Sequence, residues 1–164
     1  ALTGFLVVAC LWWIYFEYVG GLAIRSVLDG LCFTYAHLPL LAGLVSVAVG
    51  TELAVVQAAT GELERATAAA LGGGTALYLL ALTAIHATTG HAIGDRVLWL
   101  RLGSAGVALA VGALGPLGAP LGLVGLLAAL LVAHVAVEMT LRHQAVTAGE
   151  AAPEPSTATG PTLP

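Results

Sequence analysis

Leu11-Trp12-Trp13-Ile14-Tyr15-Phe16-Glu17-Tyr18 closes an apolar run that begins at Ala1, and its reading decides which solvent this chain folds in. Five of these eight residues are aromatic and one is a carboxylate, in a chain with only 6% aromatic and 9% charged residues. A helix crossing the hydrocarbon layer needs about 20 apolar residues, and the run has that length. Aromatic rings at the end of such a run suit the boundary between lipid and water. A carboxylate at the same place carries a desolvation cost, which makes Glu17 a candidate functional residue.

Outward from this stretch the composition agrees. The 164 residues suit one domain, with 59% hydrophobic residues and a mean hydropathy of +0.99. Soluble domains carry about 25% charged residues. A soluble core of this size cannot hide so much apolar surface, so the bilayer is the expected partner. The net charge is −4, with five arginines and no lysine, which excludes the basic footprint of a nucleic-acid binder. Cys10 and Cys32 form no C-x-x-C motif and read as reduced, inert small hydrophobes. The chain opens inside an apolar run without a basic leader or cleavage motif. It is therefore expected to be part of a longer protein.

Five spans are expected, giving an all-α, polytopic helical bundle over 1–143. They run from Ala1 to Val19, Phe33 to Val56, Ala68 to Ala87, Leu98 to Leu114 and Leu121 to Leu141. The connection Gly20 to Cys32, with Arg25 and Asp29, reads as a possible short interfacial helix. Pro39 falls in the first turn of the second span, where a missing N–H costs little. Gly115-Pro116-Leu117-Gly118-Ala119-Pro120 reads as a turn. The polar tail 144–164, rich in Ala, Pro, Thr and Glu, is expected to be disordered. Arg25, Arg96, Arg101 and Arg142 fall on one side and Arg65 alone on the other, so the positive-inside rule places the C-terminus in the cytoplasm of a multi-pass cell-membrane protein.

Small residues recur at four-residue spacing: Ala42, Ser46 and Gly50, then Ser104, Ala108 and Gly112, then Gly118 and Gly122. Such rows let helices approach closely where no hydrophobic drive joins them. Gly72-Gly73-Gly74 reads as a packing point. Tyr78 reads as core packing in preference to a hydroxyl bonded across helices.

The ionisable residues gather in one half of the membrane. Glu17 ends the first span, His37 opens the second, His86 closes the third, and His134 and Glu138 share one face of the fifth. Glu52 lies alone toward the other side. Three readings fit: hydrated groups that fix helix ends, a polar cavity relaying protons or an ion, or a metal site. No H-E-x-x-H or C-x-x-C spacing supports the third, so neither a metal nor a cofactor is expected. No G-x-S-x-G, phosphate-binding loop or dinucleotide fingerprint occurs in context, and no catalytic residue or enzyme activity is expected. Glu17 and His37 are expected to face each other within direct or one-water hydrogen-bond reach.

Three elements also carry a resemblance. Leu11-Trp12-Trp13-Ile14-Tyr15-Phe16-Glu17 is followed by Tyr35-Ala36-His37-Leu38-Pro39-Leu40, Gly43, and Ala48-Val49-Gly50-Thr51-Glu52-Leu53-Ala54. In this order and spacing they resemble the low temperature requirement protein A (LtrA) family, which has a W-W-x-Y-F-acidic element, a Y-x-H-x-P element and a G-x-E-like end to that span. Tyr78-Leu79-Leu80 matches more loosely. The family's usual Asp is Glu17 here, and its amino-terminal E-L-F-F-D-L-type signature is absent. The resemblance therefore implies the carboxy-terminal half of such a protein, with the amino-terminal half as its partner and a homo-oligomer as a further possibility. It marks Trp12, Trp13, Tyr15, Phe16, Glu17, Tyr35, His37, Pro39 and Glu52 as family-motif positions, and it implies a role in cold adaptation. The expected function is a transporter-like one, a proton-linked transporter or channel component with a Glu/His cluster. The alternative is a structural or adaptor membrane protein supporting growth at low temperature without transport.

Overall fold

The computed structural model describes residues 2–19, 26–88, 96–115 and 119–150. Among them the regular elements are five helices: α1 (Leu2–Val19), α2 (Val27–Gln57), α3 (Arg65–Thr88), α4 (Arg96–Leu114) and α5 (Pro120–Glu150). The chain is thus an all-α bundle. Four of its helices, α2 to α5, are long and apolar enough to cross a membrane, and α1 is a shorter apolar helix. Lipid offers no hydrogen-bond partner to a backbone, so apolar runs of this kind must satisfy their own N–H and C=O groups as helices.

Two boundaries differ from expectation. The segment 27–32 is not a separate interfacial helix but the first turns of α2. Ser26 caps it, its hydroxyl accepting from the Asp29 backbone N–H at 3.1 Å. The Asp29 carboxylate in that turn also suits the positive end of the helix dipole. Pro39 consequently lies inside α2, where its missing N–H leaves the carbonyl of Tyr35 without its helical donor. At the other end of the chain, α5 runs on through 144–150, where alanine and glutamine are good helix formers. Residues 151–164, together with Arg25, His91, Asp95 and Gly118, lie outside the described residues.

α3 is the hub. Of its apolar stretch 67% is buried, against 28% for α2 and 39% for α4 and α5. Gly72 and Gly74 explain how it takes neighbours on two sides. Residues two apart on a helix point about 200° apart, so Gly74 meets α2 and Gly72 meets α4. A Cβ on Gly74 would come within 2.8 Å of the Gly43 carbonyl, and one on Gly72 within 2.5 Å of the Ala108 carbonyl. Gly73, between them, meets nothing within 4 Å. These are backbone-to-backbone contacts that only small residues allow.

The expected row on α4, Ser104, Ala108 and Gly112, is buried. On α2 the buried ridge is Leu40, Gly43, Val47, Gly50 and Ala54, and Ala42 is exposed. The turn between α2 and α3 is fastened by one side chain. Gln57 donates to Thr67 Oγ1 at 2.9 Å and accepts from the Glu64 backbone N–H at 3.1 Å, while Gly61 takes a φ of 76°.

α1 buries one helical face, Val7, Cys10, Leu11 and Ile14, and packs chiefly on α5. It is also tied to the hub. The Tyr78 hydroxyl donates to the Leu11 carbonyl at 2.6 Å, so Tyr78 bonds across helices in addition to packing. A buried phenol must find an acceptor, and a helical carbonyl can accept a second bond.

Candidate functional site

The polar centre of the bundle lies where the end of α3, the start of α4 and the end of α5 meet. Arg101 is fully buried. Its Nη2 donates to Glu138 Oε1 at 2.7 Å, and its Nη1 lies 3.4 Å from His86 Nδ1. A guanidinium has only donors, so His86 Nδ1 accepts and its proton sits on Nε2. Arg142, one turn beyond Glu138, donates to the same Oε1 through Nη2 at 2.6 Å and Nε at 3.2 Å. Glu138 Oε2 faces His134 Nε2 at 3.3 Å, without the alignment of a hydrogen bond. His134 Nδ1 in turn lies 2.8 Å from Ser104 Oγ.

Each helix supplies these groups because of its register. His134, Glu138 and Arg142 recur every four residues and so form one stripe on α5. Arg101 and Ser104, three apart, share the α4 face that meets this stripe. His86 closes the network from the last turns of α3. Charged side chains enclosed by apolar helices survive only when partnered, because desolvating each costs several kcal/mol. Here two guanidiniums converge on one oxygen of one carboxylate, and the other oxygen is left to a histidine. The loading of the carboxylate is uneven: Oε2 faces only the His134 ring, which Ser104 holds on its far side.

A crevice of about 10 Å³ runs from this network to α1, with Trp13, Ile14 and Glu17 on one wall and Glu138, Met139 and Arg142 on the other. That is close to the smallest space that holds one water.

Sequence reasoning placed five residues in one polar group, and the structure divides them. His86, His134 and Glu138 come together. Glu17 stays exposed on the crevice wall. His37 lies elsewhere: its Nδ1 donates to the Phe33 carbonyl at 2.6 Å, and its Nε2 meets the Tyr15 hydroxyl at 2.9 Å. The expected Glu17–His37 pair is therefore replaced by Tyr15–His37. Tyr15 and Glu17 are two apart on α1, so turning the first toward α2 turns the second away. Of the remaining motif positions, Trp12, Trp13, Phe16, Tyr35 and Glu52 are exposed and Pro39 is half-buried. Among the described residues, no three His, Cys, Asp or Glu side chains are grouped to hold a metal ion.

Arg101, Ser104 and Arg142 were not anticipated as site residues. The sequence reading takes Arg101, near the interface at the start of the fourth span, and Arg142, just beyond the fifth, as charges that orient the chain, and Ser104 as a packing residue. The available signal was position: Arg101 lies more than one turn inside an apolar helix, where an ionisable group faces protein rather than lipid. With Arg101 and Arg142 committed to Glu138, the exposed arginines among the described residues are Arg65 and Arg96, one at each side of the bundle.

Against known families, the chain matches the model described as Bacterial low temperature requirement A protein (LtrA) over residues 1–137. The match takes in His86, Arg101, Ser104 and His134, and ends one residue before Glu138. No curated protein and no solved structure matches the chain.

Proposed function

We propose, since this chain belongs to the bacterial low temperature requirement A (LtrA) family and is an integral membrane protein of it, that its buried ionic centre serves a non-enzymatic, proton-linked transporter or channel. The observation that carries this reading is the unequal loading of Glu138. Oε1 takes both guanidiniums, while Oε2 faces only His134 at 3.3 Å. Intramembrane carboxylate and histidine chains mark proton paths in transporters, and an imidazole can pass a proton through its two nitrogens. In this scheme His134 and Glu138 exchange the proton, Ser104 orients the ring, and Arg101 anchors the carboxylate. Glu17 links the crevice to the surface. The C-terminus faces the cytoplasm, and further segments of the same protein or a second copy complete the path.

The structural or adaptor reading has its own support, because the Arg101–Glu138–Arg142 bonds form a latch between α4 and α5 that needs no moving proton. Flux measured with full-length protein in liposomes separates the two. Under a pH gradient, with a panel of ions and small solutes, the relay requires a flux that Glu138→Gln lowers about a hundredfold or more, the scale of a lost proton-transfer group. A wild type silent across that panel, with growth in the cold rescued equally by Glu138→Gln, sinks the relay and leaves the adaptor.

A further inference from the structure

On the opposite side of α1 lies a groove of about 290 Å³, closed by α2 and by Tyr78 of α3. Trp12, Phe16 and Leu41 on its rim are 58%, 54% and 53% exposed, so it opens toward lipid. Its polar end is the Tyr15–His37 pair, and its apolar end is formed by Val8 and Leu44. Leu44 lies seven residues past His37, about 10 Å along the helix. The groove therefore has one polar end, nearer the start of α2, and an apolar length running toward the middle of the membrane.

The hydrogen bonds fix what the polar end can recognise. The Phe33 carbonyl can only accept, so His37 Nδ1 carries the ring's proton. In the neutral ring Nε2 then accepts, and the Tyr15 hydroxyl spends its hydrogen on it. Tyr78, the other phenol of the groove, spends its hydrogen on the Leu11 carbonyl. Both phenolic oxygens keep lone pairs and offer no hydrogen, so this end accepts and does not donate. Ester carbonyls and phosphate oxygens are acceptors too and gain no bond there, so the site favours a donor, and one that carries no charge into an apolar groove. A hydroxyl is such a donor.

We infer that this groove binds a membrane-dissolved long-chain alcohol, its hydroxyl donating to Tyr15 Oη and its chain lying along Val8, Leu40 and Leu44. The aromatic rim gives such a ligand rigid contact area, and ligand sites commonly combine an apolar wall with a few placed polar groups. The site uses none of the residues of the ionic centre and is independent of the relay.

Photolabelling of the full-length protein in lipid nanodiscs tests it, with a long-chain primary alcohol carrying a diazirine on its chain and the matching diazirine alkane. The alcohol is expected to label the Trp12–Phe16 and Leu41–Leu44 peptides roughly fivefold more than the alkane, the scale of one net hydrogen bond. Tyr15→Phe combined with His37→Leu, which also removes the acceptor that the first change alone would uncover on Nε2, brings the ratio near one. Leu44→Trp, which fills the groove and leaves the polar pair in place, removes alcohol labelling there and so covers a Tyr15 variant that fails to fold. Equal labelling by the two probes means ordinary boundary lipid and overturns the inference. So does an unlabelled groove, covered by another part of the full-length chain, or labelling that ignores Leu44→Trp.

Discussion

The two polar regions of this bundle are built on opposite terms. At the junction of α3, α4 and α5, Arg101 and Glu138 are sealed from solvent and bound to each other at 2.7 Å. Along the α1–α2 edge, the residues that carry the family resemblance stand largely exposed, with Trp12 at 58% and Tyr35 at 65%. The sealed region pays for its charges in partners. The exposed one keeps its polar groups near the surface, where Tyr15 and the Phe33 carbonyl together satisfy His37. Recognisable sequence and buried charge are thus separate features of this chain. Substitutions that treat them alike should give very unlike results.

The largest effect is expected at Glu138. Glu138→Ala takes from the buried Arg101 its carboxylate, and losing one partner of a buried ion pair costs about 3–5 kcal/mol. Thermal unfolding in detergent should show this as a marked loss of stability. Replacing Arg101 by Met and Glu138 by Leu together should recover most of it, because an apolar pair of similar volume is often neutral. If the double variant is as unstable as the single one, the bonds to Arg142 and His86 matter more than the pair itself.

The α1–α2 edge and the apolar runs were legible because their residues are contiguous. Trp12 to Glu17 is one element, and helical spans announce themselves by composition and length. The ionic centre is assembled from 86, 101, 104, 134, 138 and 142, on three helices whose rotation the sequence does not state. His134 and Glu138 were visible as an i, i+4 pair, but the facing Arg101 was not. The same limit explains the Glu17–His37 expectation. Depth along the membrane follows from position in a run, whereas facing depends on helix rotation, and Tyr15 took the place beside His37. Gly72 and Gly74 were legible as packing residues, but not which helix each would meet.

That last point gives the second prediction. Gly72→Ala places a methyl where a Cβ would lie 2.5 Å from the Ala108 carbonyl. It should force α3 from α4 and cost about 1–3 kcal/mol, as overpacking does. Gly73→Ala, beside it with open space, should be neutral or stabilising by up to about 1 kcal/mol through helix propensity. Melting temperatures of the two variants, side by side, check the assignment of the α3 faces. Equal effects would mean that α3 is rotated from the position described.

A smaller change should follow Tyr78→Phe. It removes the bond to the Leu11 carbonyl and keeps the ring, so about 1 kcal/mol is expected. The loss should be local to α1. Hydrogen exchange should quicken at residues around Leu11 and stay unchanged at Glu138, which would separate the fastening of α1 from the ionic centre.

The smallest effect on stability is expected at Glu17, though it lies on the wall of the crevice that reaches Glu138. Its side chain is exposed, so Glu17→Gln removes a hydrated charge and strands no partner. Surface changes of that kind stay within about 0.5 kcal/mol. The melting temperature should therefore match the wild type, in contrast to Glu138→Ala one helix away. If Glu17 also links the crevice to the surface, the same variant should slow a proton-coupled flux while leaving the fold intact. Reading both quantities on one variant sharpens the contrast between the two regions. A loss of stability as large as that of Glu138→Ala would show Glu17 enclosed in the full-length protein, and the division between a sealed centre and an open edge would fail at that residue.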